Sequence, residues 1–289
     1  MKLSKFVFLW LIITVWMVFE HFALNNKLEW SVLQYLKNNV PYFASLNLST
    51  EPGRAISYFL GWAGLGIMGL TNIYLLRKRM FVLSKIGKLP NWLNFHIFCG
   101  LLGPTLIIFH TNFKVGGLVA ISFWSMMTVA GSGVIGRYFY VQVIRKKGSI
   151  VEKISRIETH LEKMIEDSAI DNKGAAMERV KMIAYKFSGT PLKDGEFEQV
   201  YGLFDLFVIF VVSIYGDIKS FFLTPKTISG LPESSRSILG AYAMALREKN
   251  YYQPFQTLLG YWHSFHVPFT VIMYVVALIH VVVALLFQV

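Results

Sequence analysis

Hydrophobic and polar positions along this chain are sorted into long blocks. Predominantly apolar runs fall at roughly 6–25, 55–76, 92–111, 117–140 and 257–287, each at least the ~20 residues a helix needs to cross a bilayer core. A sixth run, around 202–223, is weaker: its clean part, Leu206 to Gly216, follows Asp205 and precedes Asp217 and Lys219. The segments 26–53 and 224–256 are mixed, and 141–200 is polar. Within that polar block Ile150, Ile154, Ile157, Leu161 and Met164 recur at helical spacing, which predicts an amphipathic helix. Its apolar stripe has four possible covers: the membrane, the chain's own helix ends, a partner subunit, or the second arm of a helical hairpin.

The expected fold is all-α, a polytopic membrane bundle of about six transmembrane helices with an amphipathic cytoplasmic helical insertion. It divides into an N-terminal signal-anchor helix (1–25), helices two to four with the first ligand helix (26–140), the insertion (141–200), and helices five and six with the second ligand helix (201–289). The opening stretch, MKLSKFVFLWLIITVWMVF, has the basic start of a signal peptide. No small-x-small cleavage site follows it, so it reads as a retained anchor.

Composition agrees with a membrane reading. Of 289 residues 54% are hydrophobic and 16% charged, against about a quarter charged in soluble domains. The net charge of +11 sits in blocks beside the apolar runs: Lys2 and Lys5, then 77–88, then 145–147. That is a topology signal and no phosphate-binding face, so nucleic acid is not an expected partner; membrane lipid is. The insertion holds 11 of the 28 basic and 10 of the 17 acidic residues. Basic flanks place the N-terminus, 77–91 and 141–200 in the cytoplasm, and counting the sixth run puts both termini there. Omitting it moves 224–256 inside and reverses the last helix. Cys99 is the single cysteine and no CxxCH occurs, which excludes an internal disulfide, a cysteine-held cluster and covalent c-type haem.

The chemistry lies in histidines. His96 and His110 are 14 residues apart, and so are His266 and His280. Fourteen helical steps return to within about 40° of the starting direction and climb about 21 Å. Each helix thus carries two imidazoles on one face, near opposite sides of a hydrocarbon core. Facing pairs on two helices can clasp two haems b, one iron per pair; a bare metal would need more ligands per site, and no Asp or Glu lies within either ligand run. With six crossings the ligand helices run antiparallel, which pairs His96 with His280 at the inner haem iron and His110 with His266 at the outer one. Gly100 and Gly103 share the ligand face and would let a porphyrin approach the backbone. Arg137, near the cytoplasmic end of the fourth run, is the first choice for an inner propionate, and Lys114 and Arg54 for the outer. His263 lies off the stripe, a rival to His266 or a quinone contact. Glu20 and His21 are a candidate quinone and proton site, with an interfacial polar cap as the plainer reading. GSGVIG, Gly131 to Gly136, spells the dinucleotide fingerprint inside an apolar run, where glycines serve close packing instead.

On His96, Gly100, Gly103, His110, His266 and His280 the chain resembles di-haem membrane cytochromes b. The antiparallel ligand helices resemble the cytochrome b subunits of respiratory nitrate reductase and heterodisulfide reductase, and differ from the parallel ones of the quinol:cytochrome c reductase cytochrome b. The resemblance implies a multi-pass protein of a prokaryotic cytoplasmic (inner) membrane, an electron-transfer subunit of a hetero-oligomeric complex. It would relay electrons between the quinone/quinol pool and redox partner subunits. The first run and the long insertion depart from the compact five-span pattern. Two other expectations stand beside it: a haem-free transporter or proton channel using the same histidines, and a structural anchor of a redox complex.

Overall fold

The computed structural model describes residues 3–26, 28, 30–45, 47–117, 119–144, 147–189 and 202–287. Lys2 and the last part of the insertion, 190–200, lie outside the described residues. Every element among the described residues is helical. They are α1 (Leu3–Asn25), α2 (Val32–Asn39), a 3-10 turn (Pro41–Phe43), α3 (Ala55–Leu70), α4 (Asn72–Arg79), α5 (Phe81–Ser84) and α6 (Leu89–His110). There follow α7 (Val119–Val143), α8 (Lys147–Glu166), α9 (Lys173–Ser188), α10 (Leu203–Phe222) and α11 (Ser235–Phe287).

Among the described residues five helices are long and apolar enough to cross a membrane: α1, the joined α3–α4, α6, α7 and α11. α10 is not among them; its 20 residues include Asp205, Asp217 and Lys219. The large exposed side chains of the five are overwhelmingly apolar, Phe8, Val15, Phe59, Trp124, Val271 and Leu278 among them. Such a surface is compatible with a multi-pass membrane protein.

The chain forms two compact units, Met1–Val134 with Phe265–Val289, and Ile135–Ser264. In the first, α3 and α6 pack closely through glycines. A Cβ on Gly64 would meet the Gly103 carbonyl at 3.3 Å, and one on Gly103 would strike the Met68 side chain. Met17, Leu106 and Phe109 form one core cluster of this unit, and Met68, Met126 and Met273 another. Sulfur side chains fill irregular gaps between helices well.

In the second unit α8 and α9 form a hairpin. Asn172 caps α9 by accepting the Ala175 N–H (3.0 Å), and Gly189 closes it in the left-handed region (φ 73°). The stripe Ile150, Ile154 and Leu161 is covered by Val180 and Ala184 of α9 and by Leu239, Tyr242 and Leu246 of α11. Tyr242 donates to Glu158 (2.7 Å), and Lys153 pairs with Glu248 (3.7 Å). The chain therefore covers its own stripe.

This shared core corrects the expected topology. Elements 147–188 and 235–246 bury their apolar faces in one another, so they occupy the same side of any membrane. A crossing by α10, which lies between them in sequence, would part them. The expected sixth run, around 202–223, is not among the helices long and apolar enough to cross, and a crossing there does not fit this packing. Nor does α11 begin at the membrane: it is one helix of 53 residues, about 80 Å at 1.5 Å per residue.

Candidate functional site

Lateral contacts fix the directions of the helices in the first unit. Along α3 and α6, Ser57 meets His110, Gly64 meets Gly103 and Thr71 meets His96, so the two are antiparallel. Along α7 and α11, Ser122 Oγ donates to the Met273 carbonyl (3.0 Å) and Ser132 Oγ meets His266 Nδ1 (2.8 Å), again antiparallel. Tyr274 donates to the Met68 carbonyl (2.6 Å), while His280 shares a cavity with Gly61 and Tyr58; α11 is thus antiparallel to α3. Consequently α6 and α11 run the same way. His110 stands level with His280, and the equal 14-residue spacings put His96 level with His266.

The predicted pairing of His110 with His266 and of His96 with His280 is corrected accordingly. The predicted pairing followed from counting the run around 202–223 as a sixth crossing, which makes α6 and the last helix antiparallel; the contacts above make them parallel.

His110 and His280 both line one cavity of about 850 Å³, open mouth included, with Gly61, Met68, Phe123 and Ala277. His110 is the last residue of α6, and Ser57 in the first turn of α3 grips it. The His110 Nδ1–H donates to the Ser57 carbonyl (2.8 Å), with the Ser57 hydroxyl 3.1 Å from the same nitrogen and donating to the His110 carbonyl (2.9 Å). A carbonyl can only accept, so Nδ1 carries the proton and Nε2 the lone pair. Gly61 makes room for the ring: a Cβ there would lie 2.9 Å from His110 Cε1 and Nδ1.

His96 is held alike. Its Nδ1–H donates to the Thr71 carbonyl (3.0 Å), at the joint between α3 and α4, and its ring packs 5.5 Å from that of Tyr74. On α11, the His266 Nδ1 meets Ser132 Oγ, whose own hydrogen goes to the Val129 carbonyl (3.0 Å). Here too Nδ1 is the donor. In all three rings Nε2 is left as the nitrogen able to bind a metal, the arrangement in which an acceptor behind the ring fixes its tautomer and raises its basicity. Of the four predicted ligands, His110 and His280 line one cavity together, and of those two only His110 has its ring tied to a backbone carbonyl. Among the described residues no three of His, Cys, Asp and Glu gather to chelate a bare ion, so two-imidazole chemistry is what these residues offer.

The remaining candidates separate. Gly103 is taken up by α3 packing, whereas Gly100 has nothing within 4 Å of a would-be Cβ. Glu20 is buried and structural: its carboxylate accepts from the Ser31 hydroxyl and from the N–H groups of Val32 (3.0 Å) and Leu33 (2.9 Å), so it caps α2. His21 bonds Asn25 (2.9 Å) and sits edge-on to Phe109 and Phe113; it and Glu20 do not line the His110–His280 cavity. Arg137 and His263 belong to the second unit. Arg137 stacks over Tyr140 (5.6 Å), and His263 is exposed beside Trp262 (6.4 Å). Gly136 of the GSGVIG stretch accommodates the Trp262 indole, a packing role as expected. Asp217 pairs with the buried Arg247 and accepts from Tyr138 (2.8 Å).

Sequence reasoning missed Ser57, Thr71 and Ser132. A lone serine inside an apolar run is a usable signal for the first and last. Thr71 acts through its backbone carbonyl, which no side-chain pattern marks.

Comparison with protein-family models, with curated proteins and with solved structures finds no match.

Proposed function

We propose that this chain is a membrane-embedded di-haem cytochrome b subunit, relaying electrons across the bilayer between a quinone/quinol pool and a partner redox protein. One observation carries the reading: two imidazoles from parallel helices line one largely apolar cavity, one of them tied at Nδ1 to a backbone carbonyl. His110 and His280 would hold one haem b, and His96 and His266 the other, about 21 Å further along the helices. Bound between two imidazoles, a haem supplies a one-electron iron couple, and its apolar surroundings set the potential. The chain's own part is to fix tautomer and ring plane through Ser57, Thr71 and Ser132, and to keep water from the gap with Met68, Phe123 and Ala277.

Basic flanks would place the N-terminus, 77–91 and all of 145–235 on the cytoplasmic side of a prokaryotic inner membrane, and the C-terminus on the other. On this reading α8 and α9, with 235–250, offer the cytoplasmic docking surface for partner subunits.

The test is a reduced-minus-oxidised visible spectrum with quantified haem on the purified protein. About two haems b per chain, each low-spin with two nitrogen ligands, is the expected result. A haem-free protein that still moves protons would replace this reading with the channel. Haem present, with electron flow untouched in His110→Ala, would replace it with the structural anchor.

A further inference from the structure

α10 is amphipathic the wrong way round for a helix packed on a protein in water. Phe204, Phe207, Val211, Tyr215, Ile218 and Phe222 recur at three- and four-residue steps and are all exposed, Phe204 by 77% and Phe222 by 75%. They fall within about 80° of one another around the axis. Turned inward instead are Leu206, Ser213 and Gly216, all buried, and Asp217. Asp217 accepts from the Tyr138 hydroxyl and pairs with Arg247, and the Tyr138 hydroxyl meets Ser213 Oγ (2.9 Å). The absence of a side chain at Gly216 admits the Arg247 guanidinium. Polar groups thus clamp the helix from beneath while its greasy side faces out.

We propose that α10 is an in-plane membrane helix, lying along the headgroup–acyl boundary with its Phe204–Phe222 face sunk in lipid. This rests on membrane insertion of the five long helices and not on haem. Three observations select lipid as the occupant. First, both ends of α10 lead to elements that share one core, so it cannot cross. Second, it leans on α7 and α11, through Phe210 against Phe139 (5.3 Å) and through the Asp217–Arg247 pair, and both of those helices are long and apolar enough to span. Its place is therefore where they leave the bilayer. Third, the outward face runs for about 30 Å without one charged residue, whereas protein interfaces carry a polar rim. An interfacial helix buries its apolar face about 5–10 Å below the headgroups.

The experiment uses the full chain in phosphatidylcholine/phosphatidylglycerol vesicles. Nitroxide labels are placed one at a time by Phe207→Cys, Val211→Cys and Ile218→Cys in a Cys99→Ser background, with Leu278→Cys on the exposed face of α11 as the depth reference. Collision with oxygen and with a water-soluble nickel complex reads depth. The expected result is one shallow depth for all three α10 labels and a greater depth for Leu278. A steady progression, spread over about 16 Å between positions 207 and 218, would mean that α10 spans and would overturn the proposal. So would labels that collide freely with nickel, which would put the face in water, or labels shielded from both reagents, which would mean that a second copy or another protein covers it. If the Leu278 label also met only water, membrane insertion itself would fall, and this proposal with it.

Discussion

Replacing Gly61 by alanine puts one methyl group against the ring of His110. The new Cβ would lie 2.9 Å from both Cε1 and Nδ1, whereas non-bonded heavy atoms settle at about 3.5–4.0 Å. The ring must then retreat by about 0.6 Å or more. It is tethered at the same edge, by the 2.8 Å bond from Nδ1 to the Ser57 carbonyl, so such a retreat stretches that bond to about 3.4 Å, past the useful range. The loss is about 1 kcal/mol for the hydrogen bond, with 1–3 kcal/mol of overpacking if the helices do not yield. An imidazole without its acceptor is a weaker donor to ferric iron, so on the proposed reading the potential of a haem held by His110 and His280 would rise. Were the loss of about 1 kcal/mol borne by the ferric state alone it would amount to about 40 mV for one electron, which bounds the expected rise at a few tens of millivolts. A potentiometric titration followed in the visible band should show one of two components moving and the other staying. Gly66→Ala is the control, since nothing lies within 4 Å of a Cβ there. If Gly61→Ala leaves both potentials where Gly66→Ala does, the placement of His110 against Ser57 is wrong.

Ser132→Ala removes the acceptor behind His266 and should shift the other component upward by a similar few tens of millivolts, with the His110–His280 haem unmoved in the same titration. Glu20→Ala should free α2, at about 2–3 kcal/mol for the lost cap and its hydrogen bonds; limited proteolysis within 30–45 should quicken while quinol-driven haem reduction is unchanged. Loss of that reduction with α2 still protected would restore Glu20 as a proton carrier. Asp217→Ala strands the buried Arg247. Such a loss costs about 3–5 kcal/mol in a closed interior, and about 2 kcal/mol is expected here because the Asp217 side chain is 37% exposed and screened by solvent. Thermal unfolding read at a label on α8 should report it. Epitope tags at the two ends should be reached from opposite faces of oriented vesicles, and tags at 168–171 and 229–233 from the same face.

Apolar length and charge made five of the helices legible, because a run of twenty apolar residues has few other uses. The histidine spacing was legible for the same reason: 14 residues is a property of one helix, and needs no knowledge of its neighbours. What depended on neighbours was lost. α10 was counted as a crossing since hydropathy sees how many apolar residues a run holds and not which way they point. Its inward Ser213 and Asp217, paired across to Tyr138 and Arg247, read in sequence as mere interruptions. The direction of the last helix, and with it the expected histidine partners, hangs on that count. Gly103 was assigned to a porphyrin when Met68 occupies the space, a choice that needs the position of α3. Glu20 was readable as an interfacial cap, though the helix it caps was not.

Both long helices pass from one compact unit to the other within a few residues of a single hydrogen bond. The boundary in α7 follows Val134 and that in α11 precedes Phe265, with Ser132–His266 beside both. α7 is punctuated there by Gly131 and Gly133, and α11 lacks the bond that a nitrogen-bound hydrogen at Pro268 would give to the Ser264 carbonyl. Stiffness is lowest at such places. The backbone of both helices is thus least stiff within a few residues of His266, whereas His280 stands in a stretch of α11, 269–287, that holds neither glycine nor proline.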